Sequence, residues 1–156
     1  MAVQSTYSER IAPPSPGSVS GSDFDDITGI CETAGPGGIP FGRAVSQGTL
    51  SDKGVVLGGT LAKFRGASTK DATLGAQQDV YLPPNNVGIR HRGLLWVEPA
   101  VAVAANDPVW FSGTTGIFSN VTGGANVGPI KGARFETSCG VGGRALVQLP
   151  GYNLAT

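Results

Sequence analysis

Between residues 88 and 150, short apolar runs alternate with turn residues, and apolar spacing at 3.6 residues is never sustained. Val101-Ala102-Val103 gives way to Ala104-Ala105-Asn106-Asp107 and then to Pro108-Val109-Trp110-Phe111. Gly113-Thr114-Thr115-Gly116 separates that run from Ile117-Phe118-Ser119. Apolar and β-branched residues bounded by Asn, Asp and Gly predict strands and hairpins, because turn residues supply backbone angles that strands cannot. Two further strands are expected at residues 130–137 and 144–149, joined by Gly140-Val141-Gly142-Gly143 as a tight turn.

The same pattern starts earlier, at Ile39-Pro40-Phe41-Gly42-Arg43-Ala44-Val45-Ser46 and Gly54-Val55-Val56-Leu57-Gly58. Leu61-Ala62-Lys63-Phe64-Arg65 alternates apolar with basic residues, as a strand with one wet face does. Residues 67–86 read as a long loop: residues 67–74 suit a short helical turn, and Gly75 and Pro83-Pro84-Asn85-Asn86 stop anything longer. The fold class is therefore all-β, a small β-barrel or sandwich-like domain with little helix.

Residues 1–24 read as an extended N-terminal arm, and residues 25–156 as the barrel-like domain. The arm carries three prolines in Pro13-Pro14-Ser15-Pro16, which favour extended chain. Two readings stand side by side. One is a disordered tail; the other is an arm ordered on a neighbouring subunit, anchored by Tyr7, Ile11 and Val19.

Composition narrows the function classes. With 156 residues the chain forms one domain with a real core. Its 25 glycines and 11 prolines fall just short of the roughly 25–30% that marks disorder, and 40% hydrophobic residues favour a turn-rich fold. Charged residues are only 14%, against about 25% in typical domains, so the surface favours association. Eleven basic and eleven acidic residues give zero net charge, which argues against nucleic acid as a direct partner. No apolar run approaches the roughly 20 residues that span a bilayer, and the N-terminus lacks a secretory pattern. Synthesis in a cytosol is expected, with Cys31 and Cys139 as free thiols.

No reaction chemistry stands out. His91 is the sole histidine and neither cysteine has a paired spacing, so a Cys/His zinc site is not expected. Gly140-Val141-Gly142-Gly143-Arg144-Ala145 matches a loose dinucleotide pattern, but a strand rather than a helix follows it. Serine nucleophile elbows are missing; in Gly17-Ser18-Val19-Ser20-Gly21 the serine is misplaced. Asp23-Phe24-Asp25-Asp26 reads as a solvated acidic turn, without a calcium-loop pattern. Asn120-Val121-Thr122 is a formal glycosylation sequon that needs secretion to matter. Neither catalysis nor a cofactor nor a metal is expected.

The strand at residues 89–98 separates into two faces. Ile89, His91, Gly93, Leu95 and Val97 form the more apolar one, while Arg90, Arg92, Leu94, Trp96 and Glu98 form a mixed one. In the next hairpin Val109 and Phe111 share a face and Trp110 opposes them. Tryptophan and arginine are enriched at interface centres, which makes Arg90, Arg92, Trp96 and Trp110 candidate partner contacts. The competing reading places both indoles in a second core layer.

Taken in order, several of these segments resemble one family. Ile39-Pro40-Phe41-Gly42-Arg43-Ala44-Val45, then Gly93-Leu94-Leu95-Trp96-Val97 through Val103-Ala104-Ala105-Asn106-Asp107-Pro108-Val109-Trp110, and Ala133-Arg134-Phe135-Glu136-Thr137-Ser138 to Gly142-Gly143-Arg144-Ala145-Leu146-Val147 are similar to the capsid cement (head-decoration) proteins of tailed bacteriophages. The likeness runs over most of residues 38–150. Asn106 departs from the glycine more usual before Asp-Pro-Val, though Asn suits the same turn. The resemblance implies a small β-barrel-like virion protein on the capsid exterior. It would bind the major capsid protein, commonly as a homotrimer, and stabilise the head by bridging shell subunits. A β-sandwich module that binds glycan or a host surface is the alternative, and a small hydrolase ranks last.

Overall fold

The computed structural model describes residues 14–34, 37–74 and 79–151. These described residues hold twelve strands in chain order: β1 Val19–Cys31, β2 Ile39–Pro40, β3 Ala44–Gln47, β4 Gly54–Leu57, β5 Phe64–Ser68, β6 Val80–Tyr81, β7 Asn86–Val97, β8 Trp110–Ser112, β9 Phe118–Ser119, β10 Asn126–Val127, β11 Arg134–Phe135 and β12 Ala145–Pro150. Among the described residues the only helical elements are single 3-10 turns at Leu61–Lys63 and Ala72–Leu74.

The main sheet has the order β1-β4-β3-β5-β7-β12-β11, and β1 also pairs with β7. Five strands, β1-β4-β3-β5-β7, thus close into a ring, and β12 and β11 extend from it. Closure depends on the length of β7. One of its edges takes β1, from Val19↔Leu95 to Ile30↔Asn86. The other takes β5 at Ala67↔Arg90 and β12 from Pro150↔Arg92 to Ala145↔Val97. The expected all-β, barrel-like class is found as this ring-like sheet, looser than a strict barrel. A three-stranded sheet, β10-β8-β9, and the pair β2-β6 complete the fold.

Alternation along β7 sets the core. Val87 and Ile89 pack with Val45, Val55, Cys31 and Tyr81 in one cluster. Leu95 and Val97 pack with Val109, Phe111, Phe118, Phe135 and Val147 in a second. Phe64 and Phe111 meet with ring centroids 5.1 Å apart, and Phe41 stands edge-on to Tyr81 at 5.2 Å. Each such large side chain contributes about 1.5–3 kcal/mol by leaving water.

Several local expectations change. Leu61–Lys63 is a 3-10 turn, with Lys63 N donating to Thr60 O, so the strand begins only at Phe64. The helical turn is confined to Ala72–Leu74, where Asp71 Oδ1 accepts from Thr73 N at 2.8 Å and from its hydroxyl at 2.6 Å. The 67–86 stretch is less of a loop than its composition suggests, since β5 runs to Ser68 and β6 occupies Val80–Tyr81. At the other end, the chain enters the sheet at Val19, within the stretch read as the arm, because β1 already pairs with β7 there. Asn106 has φ 70, the only positive φ among described non-glycine residues, as its place in the turn required. Cys31 and Cys139 are free thiols, both raised above their ordinary pKa by burial.

Candidate partner-binding surface

The register between β1 and β7 jumps from Ser20↔Leu94 to Asp25↔Arg92, so residues 21–24 bulge outward opposite Gly93. Gly93 has φ 114, and a Cβ there would sit 2.9 Å from both the Asp23 carbonyl oxygen and Phe24 Cβ. Only glycine lets the bulge approach this closely. Arg90 fixes it from beneath. Its Nε and Nη2 donate to Asp26 Oδ1 and Oδ2 at 2.7 and 2.8 Å, and its Nη1 donates to the Ser20 and Leu94 carbonyls. The guanidinium carbon lies 4.5 Å from the centroid of the Phe24 ring. Phe24 is thereby held in place with 49% of its surface exposed.

The candidate contacts fall in different places. Arg90, expected on the outward side, is only 1% exposed, and its place in this structure is beneath the bulge that it shapes. Arg92 stays exposed and forms a 3.1 Å ion pair with Asp23. Trp96 is half-buried on the same outward side of β7, its backbone bonded to Gly17 and Ser18. Val19 is 52% exposed at the start of β1. The structure brings Val19, Arg92 and Trp96 to one strand pair. Trp110 belongs to the smaller sheet, half-buried, with Gly128 against its ring. Tyr7 and Ile11 lie outside the described residues.

A cleft that sequence reasoning missed lies where the arm meets the ring. Ser15, Pro16, Pro40, Phe41, Arg43, Lys70, Asp79 and Arg144 enclose about 320 Å³. Residues 15–18 are clamped at its edge: Gly17 N donates to the Trp96 carbonyl at 2.8 Å, and Lys70 N donates to the Gly17 carbonyl at 2.8 Å. With φ 81 and Phe41 Cβ only 2.8 Å from where a Cβ would be, Gly17 has no room for a side chain. Burial lowers the pKa of Arg43, with Glu98 opposing that shift. Arg144 Nη2 is 3.7 Å from Glu98 Oε2, and its buried Nε has no hydrogen-bond partner among the described residues. These cations come from three distant segments, so no spacing in the sequence pointed to them.

A second outward feature is the β3–β4 loop. The Glu32 carboxylate accepts from the amides of Thr49, Leu50 and Ser51 at 2.8, 3.1 and 2.9 Å. Desolvation raises its pKa, but those three donors outweigh it and hold the carboxyl below the usual range. The loop presents Leu50 with 83% of its surface exposed. Among the described residues no group of His, Cys, Asp or Glu is placed to hold a metal ion, and no helix is long and apolar enough to cross a membrane. Both Asp23 and Asp26 of the acidic turn are engaged by arginines.

The ring-like architecture has a counterpart among solved structures. A chain of the solved structure "The capsid of Myoviridae Phage XM1" shares it with a TM-score of 0.71 at 15% identity, over 96% of this chain and 98% of that one. At such identity the likeness is one of fold. No curated protein sequence matches. The family profile described as "Structural cement protein (E217 gp24/Pam3 gp6)" matches residues 3–150, and the chain belongs to that family of phage structural cement proteins. The resemblance carried by Gly93-Leu94-Leu95-Trp96-Val97 and its companion segments is borne out, and the match extends well into the arm.

Proposed function

We propose that this protein is a capsid cement that binds the outer surface of a phage head as a homotrimer and stabilises it by bridging shell subunits. The observation that carries this reading is family membership over residues 3–150. The surface supports it. A closed ring gives a rigid body, and from it project the Arg92–Trp96 side of β7, the Leu50 loop and the cleft at Arg43. Such separate features suit several modest contacts, each of about 1,200–2,000 Å². Val19, Arg92, Trp96 and Trp110 are proposed contacts with the major capsid protein or with neighbouring copies. Tyr7 and Ile11 are proposed to act through the arm, which would add avidity by linking neighbours. The role needs no catalysis and no cofactor, and it places the protein on the virion exterior after synthesis in the host cytoplasm.

Binding is tested by sedimenting the full chain with purified heads that lack it. The protein is expected to pellet with the heads at a fixed, saturable copy number, and less tightly once residues 1–13 are removed. Protein that stays in the supernatant with intact, exposed heads would overturn the reading.

A further inference from the structure

We infer that the cleft at Arg43 receives the Asp23-Phe24-Asp25 turn of a second copy of this chain. The contact rests on the homo-oligomeric part of the reading above, and it is independent of head binding. The cleft supplies acceptor-seeking cations. Arg43 is half-buried and its guanidinium makes no hydrogen bond among the described residues, while Lys70 Nζ is held at the rim by Ser15 Oγ at 2.9 Å. Arg144 adds a third positive charge and a buried Nε without a hydrogen-bond partner among the described residues. An arriving carboxylate offers charge-assisted hydrogen bonds that water at a desolvated site replaces poorly. Pro16, Pro40 and Phe41 give the same cleft an apolar side fit for a ring.

The turn has the complementary chemistry. Phe24 is half-exposed between two exposed carboxylates, and the Arg90 contacts fix its shape before any encounter. A preorganised turn loses little freedom on docking. Asp79 within the cleft, and Glu98 beside Arg43 and Arg144, offset much of the positive charge. A segment with two carboxylates therefore fits better than a polyphosphate chain. The turn cannot reach the cleft of its own copy, because Val19↔Leu95 and Asp25↔Arg92 pin both ends of that stretch to β7. Its occupant comes from another molecule. A two-fold pair makes the contact twice, and a closed ring makes it once per subunit.

Sedimentation equilibrium of the full chain tests the contact. Lys70→Glu and Asp25→Lys alter exposed side chains and leave the ring intact. Each is expected to weaken self-association by about tenfold or more, and the chain carrying both is expected to regain it. Urea unfolding of each variant separates lost contact from lost fold. A wild-type protein that is monomeric at every concentration would overturn the homo-oligomeric reading and this contact together. Self-association that ignores the single substitutions, or a double variant no better than either, would overturn this contact alone.

Discussion

Arg90 and Asp26 form a two-pronged ion pair, at 2.7 and 2.8 Å, in which the guanidinium is 1% exposed and the carboxylate side chain 37%. The asymmetry decides which partner matters more. Removing the carboxylate strands a buried charge, whereas a freed Asp26 can turn to water. Asp26→Ala is expected to cost about 2–4 kcal/mol, below the value for a fully buried pair because water can reach the site. Arg90→Met is expected to cost less. The midpoints of urea unfolding check both.

Gly93 gives the bulge its room. Gly93→Ala puts a side chain at φ 114 and 2.9 Å from the Asp23 carbonyl oxygen. It is expected to destabilise the fold by about 2–3 kcal/mol. Hydrogen exchange should quicken at residues 20–26 before it does elsewhere. Unchanged exchange there would mean that the bulge does not depend on Gly93.

Glu32 ties the Leu50 loop to pH. Its folded pKa is depressed, so its contribution is fully present above the usual glutamate value of about 4.3 and is lost as the pH falls through the lower folded value. Glu32→Gln is expected to flatten the part of the acid-unfolding curve that lies below that value. At neutral pH it should also lower hydrogen-exchange protection at Thr49, Leu50 and Ser51. Equal protection in both proteins would show that the loop holds its shape without the carboxylate.

Asn106 tolerates a left-handed backbone that β-branched residues resist. Asn106→Val is expected to cost about 1–2 kcal/mol, and Asn106→Gly to stay within about 0.5 kcal/mol of the wild type. Thermal unfolding distinguishes the two outcomes.

The strand class and several turns were legible because they are local. Asn106 before Asp107-Pro108 announces its own backbone angle, and the alternation through Leu95 and Val97 marks the inner face of β7. Arg90 was not read as buried, for a physical reason. Alternation put it correctly on the outward side, but the residues that cover it, Phe24 and Asp26, arrive through a bulge that only the β1–β7 register reveals. The 3-10 turn at Leu61–Lys63 imitated a strand because one turn of three residues is too short for its period to show. The cleft was invisible for a different reason: Arg43, Lys70 and Arg144 are isolated in sequence and meet only after the ring closes. Half-burial of Trp96 and Trp110 also lay beyond a binary choice between core and surface.

Reinforcement of the head is the central claim, and the most direct measurement is the temperature at which DNA-filled heads release their DNA to a binding dye. Heads lacking the protein are compared with the same heads saturated by it. Bridging between shell subunits predicts that the release temperature rises on addition and falls back towards the bare-head value for variants that no longer bind. An unchanged release temperature on heads that sedimentation shows to be fully coated would contradict it.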